Sequence, residues 1–225
     1  MKYTLEDFKI QFSDLEIKCK PWTSLEERKY LSVKTENSNI ADLARAMIFP
    51  NIEFKPMTVD EFKYLAFKLR ALSVNPSLTF NYKCSGCNRT MDQESYLDDL
   101  LHLQDSKLSS DVIISEGDIS VTLRRIPTSE LLLKVLSEND ITEQKYLEFL
   151  ASIKTVKYKD EEYTSFTFEE LKTFFDDVPA KIFNNLYTKF FDVKGHLRVY
   201  TKCTCGICQK STTVTFDNVD VMDFL

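Results

Sequence analysis

Apolar and polar residues alternate in some stretches of the chain and recur with a helical period in others, which predicts a mixture of strands and helices. Residues 14–22 place apolar side chains at every second position, the pattern of a half-buried strand. Residues 78–83 repeat this alternation and lead directly into Cys84. The clearest helix is predicted to begin after Pro56 and to end near Ser73, with its apolar residues on one stripe. They are Phe62, Leu65, Ala66, Leu69 and Leu72.

Three capping boxes mark the starts of predicted helices. In each, a threonine is followed three residues later by a glutamate, so that each side chain accepts a hydrogen bond from the other residue's backbone N–H. The pairs are Thr23 with Glu26, Thr58 with Glu61, and Thr167 with Glu170. The first is predicted to open a helix through about Lys34, and a further short helix is predicted over residues 40–49.

The second half of the chain is predicted to be mainly helical. Residues 111–126 have the pattern of a hairpin that turns at Glu116-Gly117-Asp118, and a second hairpin is predicted around Lys159-Asp160-Glu161. The remainder of residues 127–192 has a helical period, and no Pro-, Gly- or Ser-rich linker divides the chain. We therefore predict an α+β fold that is mostly helical and is formed by a single chain.

Composition and charge exclude several classes of protein. The chain has 225 residues, of which 43% are hydrophobic and 28% are charged, as in an ordinary globular protein. The chain has 29 Lys and Arg residues and 35 Asp and Glu residues, so its net charge is −6. This charge disfavours a protein that coats nucleic acid through its general surface. Two of only four glycines, Gly86 and Gly206, lie between cysteines, so no glycine-rich phosphate loop is expected.

The cysteines are expected to lie in a reducing compartment. No apolar stretch approaches the ~20 residues of a membrane span, and the first residues lack the apolar core of a signal peptide. We therefore expect no membrane partner and no secretion. Reduced cysteines favour metal binding over disulfides.

The most distinctive motif is a pair of Cys-x-x-Cys segments, Cys84-Ser-Gly-Cys87 and Cys205-Gly-Ile-Cys208. Each lies between two stretches with a strand pattern, which is typical of a zinc knuckle at a hairpin tip. Two residues between the cysteines let both sulfurs reach one tetrahedral ion at ~2.3 Å. We predict that Cys84, Cys87, Cys205 and Cys208 hold one structural zinc ion, with no open position for water or substrate.

Such a site would join segments that lie far apart in the sequence. It predicts a split zinc-ribbon-like element made of residues 78–97 together with residues 196–217. Residues 1–77 would form an N-terminal unit of a strand and helices, and residues 98–195 a mainly helical insertion with hairpins. So long a gap is tolerable because the entropy of loop closure grows only logarithmically with length.

Several alternatives to this site stay open at the level of the sequence. Cys-Gly-Ile-Cys resembles a thioredoxin motif, but a strand pattern follows Cys208 where that chemistry needs a helix N-terminus. The cysteines could also pack without metal or form a reversible disulfide. Cys203 could replace Cys205 as a ligand, although the commoner two-residue spacing favours Cys205. His196 is a substitute ligand just before the second knuckle, and Cys19 is expected to be buried as a small apolar residue.

The chain carries no recognisable catalytic constellation, and we predict that it is not an enzyme. Its two histidines lie in no known motif, and adjacent acidic residues such as Asp98-Asp99 diverge, as on a solvated face. For nucleic acid, the acid excess disfavours binding, and Arg124-Arg125 and the knuckle flanks are the basic candidates. The flanks are Lys83, Arg89, Lys202 and Lys210.

Large apolar residues are concentrated on one predicted helix, residues 180–191. Six of them recur at helical spacing, which is more than one side of such a helix usually needs. They are Ile182, Phe183, Leu186, Tyr187, Phe190 and Phe191. Core packing is the first interpretation, and a face that binds a partner is the alternative.

Three segments of the chain match the pattern of a known family. They run from Lys18 to Leu31, from Met57 to Ser73 and from Tyr82 to Cys87. Their order and content resemble the baseplate hub assembly proteins of T4-like bacteriophages over roughly residues 14–100. The most specific part is the helix that ends in Leu-Arg-Ala-Leu-Ser shortly before a cysteine pair. Where the family commonly has glycine two residues after that serine, this chain has asparagine, which also adopts positive φ.

The resemblance implies a non-enzymatic tail morphogenesis protein whose partners are other baseplate hub or tail proteins. Such a protein acts in the host cytoplasm during assembly, as an assembly factor or as a component of the virion tail baseplate. The zinc prediction rests on the cysteine spacing and not on the resemblance. The alternative from another class is a zinc-ribbon regulator that binds nucleic acid.

Overall fold

The computed structural model describes residues 6–33 and 39–216. Its strands are β1 (Phe8–Phe12), β2 (Leu15–Cys19), β3 (Ser77–Lys83), β4 (Thr90–Tyr96), β5 (Leu101–Gln104), β6 (Val112–Glu116), β7 (Ile119–Leu123), β8 (Ile153–Tyr158), β9 (Glu161–Tyr163), β10 (His196–Thr204) and β11 (Ser211–Thr215). Its α-helices are α1 (Ser24–Val33), α2 (Ile40–Leu43), α3 (Val59–Ser73), α4 (Leu97–Leu100), α5 (Ser129–Leu136), α6 (Ile141–Ala151), α7 (Phe168–Asp176) and α8 (Ala180–Val193). A π-helical turn (Ala44–Ile48) and a 3-10 turn (Phe49–Asn51) continue α2.

The strands of the described residues form four antiparallel sheets, so the fold is mixed α+β. The strand orders are β1-β2, β3-β4, β11-β10-β5 and β6-β7-β8-β9. About 40% of the structure is helical and 31% is strand, and the prediction of a mostly helical fold is therefore wrong. A strand such as β5 has only four residues and pairs with the distant β10. It therefore carries too few alternations to be recognised from the sequence.

Local predictions made from capping and turn residues are confirmed. All three capping-box threonines donate their backbone N–H to the expected glutamate, at 2.7, 2.8 and 2.6 Å in chain order. The predicted hairpins are β6-β7, in which Gly117 has φ +58°, and β8-β9. The helix over residues 40–49 is α2 with its π-helical turn. The predicted end of α1 near Lys34 lies outside the described residues.

The first hydrophobic core surrounds α3. Hairpin β1-β2 packs alternate residues against it, so that Ile10 and Ile17 are buried and their neighbours are exposed. Four of the five stripe residues predicted for α3 are fully buried, whereas Leu72, in the last turn, is 58% exposed. Leu132 and Leu147, from α5 and α6, belong to the same core.

The second hydrophobic core fills the space between sheet β6-β7-β8-β9 and helices α6 to α8. The buried ring of Phe149 lies at its centre and contacts four other aromatic rings. Of the six large apolar residues of α8, Leu186 and Phe190 are buried, and the other four are partly buried against this core. None of the six is exposed, which favours core packing over a partner face on α8.

The first turn of α3 holds a buried ionic cluster that ties it to α6 and to the end of α8. Lys194 Nζ donates to Asp60 and lies 3.1 Å from Glu148 Oε2. The backbone N–H of Val59 donates to Glu148 Oε1 at 3.1 Å, and that of Leu197 donates to Asp60 Oδ1 at 3.3 Å. We call Asp60, Glu148 and Lys194 the Lys194 cluster. Its members are too far apart in the sequence for any local pattern to reveal them.

Two hairpins, β3-β4 and β10-β11, pack against each other. The backbone N–H of Ser85 donates to Thr212 Oγ1 at 3.1 Å, and the rings of Phe80 and Phe216 meet edge to face at 4.9 Å. A small third core, with Tyr82 buried in it, lies between the hairpins. This contact brings together the two Cys-x-x-Cys turns.

Candidate metal centre

The first knuckle is the turn at the tip of hairpin β3-β4. The N–H of Cys84 donates to the Arg89 carbonyl and the N–H of Asn88 donates to the Cys84 carbonyl, both at 2.9 Å. Asn88 has φ +59°, a left-handed conformation that asparagine adopts more readily than most residues. The N–H of Gly86 donates a hydrogen bond to Cys84 Sγ at 3.3 Å, which stabilises negative charge on this sulfur.

The second knuckle, at the tip of hairpin β10-β11, repeats the same backbone geometry. The N–H of Cys205 donates to the Lys210 carbonyl at 3.0 Å, and the N–H of Gln209 donates to the Cys205 carbonyl at 2.9 Å. Gln209 has φ +60°, close to the value of its counterpart in the first knuckle. The two turns are therefore one structural element used twice.

The sulfurs of Cys84, Cys87, Cys205 and Cys208 form one compact group. All four lie within 4.8 Å of one another. Cys84 Sγ is 3.5 Å from Cys208 Sγ, and Cys87 Sγ is 3.8 Å from Cys205 Sγ, so both of these contacts run between the hairpins. Tetrahedral bonds of ~2.3 Å to zinc would separate the sulfurs by about 3.8 Å. The spacing and the chemistry of these four donors fit a single zinc ion.

Local hydrogen bonds favour the thiolate form of two of the four cysteines, Cys84 and Cys205. The backbone N–H groups of Cys87 and of the preceding glycine lower the pKa of the Cys84 thiol to about 6. The equivalent amides of the second knuckle lower the pKa of Cys205. For Cys208, the Lys210 N–H lowers the pKa, but neighbouring sulfurs and burial outweigh it and raise the pKa to about 11. A bound cation would remove this repulsion between sulfurs, since metal ligation deprotonates a thiol.

The other candidate ligands of the sequence lie outside the four-sulfur group. Cys203 is buried in the third core with Tyr82, and burial raises the pKa of its thiol. Cys19 is buried in the first core as predicted, and burial raises its pKa to about 11. His196 lies at the start of β10 with its ring parallel to that of Phe191, 6.4 Å away. The structure thus brings together the set with Cys205 and leaves Cys203 beneath it.

The basic candidates for nucleic-acid binding are divided by the fold. Arg125 is 6% exposed and donates to Glu61 and Asp14 at distances of 2.5 to 3.1 Å. The Arg124-Arg125 pair is therefore not the basic surface that the sequence suggested, because Arg125 belongs to an internal ion-pair network. The knuckle flanks are all exposed: Lys83, Arg89, Lys202 and Lys210.

One member from each of two adjacent acidic pairs has a partner within the protein. Asp98 pairs with Lys68 at 2.5 Å, and Asp176 accepts a hydrogen bond from Tyr146 at 3.2 Å. Within residues 6–33 and 39–216, the four-cysteine group is where metal-ligating side chains gather. In the same ranges, no helix combines the length and the apolar character needed to cross a membrane.

Comparison with known proteins identifies a family. A family model described as "T4 bacteriophage base plate protein" matches residues 1–223. No match is found among curated proteins or among solved structures. The family match extends over nearly the whole chain and thus includes both knuckles and all three hydrophobic cores.

Proposed function

We propose a role in tail assembly for this chain, which belongs to the T4 bacteriophage base plate protein family. In this proposal it is a non-enzymatic hub assembly protein or hub component that acts through contacts with other hub or tail proteins. It acts in the host cytoplasm during assembly or stays in the virion tail baseplate. A structural zinc ion held by Cys84, Cys87, Cys205 and Cys208 stabilises its fold.

The observation that carries the metal part of the proposal is the convergence of four sulfurs from two hairpins within 4.8 Å. The hairpins flank residues 98–195 in the sequence, and their bridging sulfur contacts run from one hairpin to the other. An ion at this place would act as a clasp that holds the two ends of residues 98–195 together. Because its coordination shell is closed by four protein ligands, it would supply folding free energy and no open catalytic position.

Metal content tests this part of the proposal. Protein purified under reducing conditions should contain about one zinc per chain, measured by elemental analysis. Cys84→Ser should lose the metal, because three thiolates no longer close the shell, whereas Cys19→Ser should keep it. Freshly reduced wild-type protein without zinc would contradict the assignment.

The hub part of the proposal needs an experiment in infected cells. A phage that does not produce this chain is complemented by a plasmid that carries an affinity-tagged wild-type copy. With the wild-type copy, we expect baseplates by electron microscopy and hub proteins cross-linked to the tagged chain by mass spectrometry. Baseplates that form equally well without any copy would refute a role in assembly.

The second candidate is a zinc-ribbon regulator that binds nucleic acid, and the exposed lysines and arginine around the knuckles favour it. The net charge of −6 and the internal position of Arg125 oppose it. A gel shift with labelled duplex DNA separates the two. Binding that weakens steeply with added salt and is lost in Arg89→Glu with Lys210→Glu would support the regulator.

A further inference from the structure

A groove with a volume of about 650 Å³ lies on the side of the molecule formed by α2, α3, α6 and β10. Apolar side chains from separate elements line it, and Ile141, at its edge, is 44% exposed. The apolar lining residues include Ile40, Phe67, Leu136, Leu197 and Val199. The volume lies in the range of known ligand sites, and Leu197 and Ile141 keep part of their apolar surface accessible, whereas the other named apolar residues form the buried floor.

Three cations stand at this groove in a protein whose net charge is −6. Lys145 and Arg198 are exposed, and Lys63 is half-buried. Within the described residues, none of the three lies within ion-pair distance of a carboxylate, although burial, which raises the pKa of Asp60, is opposed by the charges of Lys194 and Lys63, which lower it. Two carboxylates also line the groove: Asp60, which pairs with the buried Lys194, and Glu138, which keeps its charge. The lining therefore carries three cations against two carboxylates, one of which is already paired.

Hydrogen bonding at the groove also indicates what kind of contact it can make. Along the wall formed by β10, the Val199 carbonyl accepts the N–H of Phe216 at 2.9 Å, and the N–H of Leu197 donates to Asp60 Oδ1 at 3.3 Å. Because these two backbone groups already have partners in the protein, they are not available to an incoming strand. We therefore expect recognition to rest mainly on side chains, through apolar contact and charge.

We propose that this groove binds a segment of another baseplate protein that carries carboxylates and apolar side chains together. The apolar side chains lie on the floor of the groove, and the carboxylates meet Lys63, Lys145 and Arg198. This inference rests on the proposed function, for which it supplies the chemistry of the partner. Complementary charge steers such an encounter and selects the partner, while burial of the apolar side chains stabilises the complex.

The test uses the full-length protein and, as its probe, overlapping peptides that cover the other baseplate proteins of the same phage. Bound peptides are then labelled and titrated by fluorescence anisotropy. We expect them to combine acidic and apolar residues, and to bind more weakly as salt is added. Lys145→Glu with Arg198→Glu should weaken binding by about tenfold or more, because both rim charges are reversed. Lys107→Glu with Lys157→Glu, exposed residues outside the groove lining, makes the same charge change and should have little effect.

Three results would overturn the proposal. The first is that no peptide binds, and the second is that both double variants bind as the wild type does. The third is that the peptide of residues 217–225 of this chain is the one that binds, which would make the occupant a segment of the protein itself. Failure of the groove proposal can be distinguished from failure of the proposed function. The proposed function is tested by zinc content and by complementation of the phage, and both are measured on the wild type without any peptide.

Discussion

Removal of the buried lysine at the end of α8 tests whether the two cores are tied together by charge. Lys194 is 4% exposed and contacts the carboxylates of Asp60 and Glu148, the latter itself 3% exposed in its side chain. Lys194→Met keeps an unbranched apolar stem but deletes the ammonium group. The buried carboxylate of Glu148 and the partly buried carboxylate of Asp60 then lose the lysine between them.

The expected loss of stability is large because the charges are buried. Breaking a buried ion pair by removing one partner typically costs about 3–5 kcal/mol, since the remaining charge stays desolvated and uncompensated. For a chain of this length, such a loss lowers the melting temperature by about 10 °C. Lys189→Met is the matched control on the same helix. Its ammonium group pairs with Glu116 at 2.8 Å, but the side chains are 42% and 28% exposed, so the loss should be about 0–1 kcal/mol.

The difference in the free energy of unfolding between the wild type and Lys194→Met should change with pH in one direction. In the wild type, burial raises the pKa of Asp60, but attraction to Lys194 outweighs it and leaves the pKa below its usual value. Burial raises the pKa of Glu148 above its usual value despite Lys194. Without the lysine, both carboxyl pKa values should lie above their unfolded values, so the variant regains stability as pH falls and the carboxyls protonate. The deficit is therefore largest near neutral pH and narrows toward acid pH.

Urea unfolding followed by circular dichroism, at neutral pH and at several lower values, measures these free energies for both variants. The reasoning is refuted if Lys194→Met and Lys189→Met lose equal stability at neutral pH. It is also refuted if the deficit of Lys194→Met grows as the pH falls. Either outcome would mean that the buried cluster does not hold charged carboxylates against a charged lysine.

Three further outcomes are expected. Gly86→Ala should lose zinc to a chelator faster than the wild type, because a Cβ at this position would lie 2.8 Å from Lys210 Cδ and 3.0 Å from Cys208 Sγ. Gly206→Ala is the control and should lose zinc at the wild-type rate, because nothing lies within 4 Å of its Cβ. Equal rates of zinc loss for the two variants would contradict this prediction. Cys203→Ser should retain zinc in the same assay, and loss of its metal would show that the sulfur group has been assigned wrongly. Thr58→Ala should lower the free energy of unfolding by about 1 kcal/mol through loss of the α3 cap, and an unchanged urea midpoint would count against that cap.

Local sequence patterns were sufficient for the three helix starts that have a predicted capping box and for the turns of the two predicted hairpins. A capping box needs only two side chains three residues apart, and its hydrogen bonds form within one turn of helix. The hairpin with Gly117 depends likewise on one residue that accepts positive φ. The four cysteines were selected by a two-residue spacing that depends on local geometry, and the choice between Cys203 and Cys205 rested on the same spacing.

The tertiary structure decided what local patterns do not encode. The balance of strand and helix depended on pairings such as β5 with β10, which are distant in the sequence. Arg124-Arg125 looked like a basic surface, yet Arg125 is enclosed by Glu61 and Asp14 from two other elements.

The same holds for the Lys194 cluster and for the groove at Lys63, Lys145 and Arg198, which each collect residues from several elements. A charged residue has the same local pattern whether it is solvated or paired inside the protein. Its environment is fixed only when the chain folds, because desolvation and charge pairing depend on neighbours that the sequence places far away.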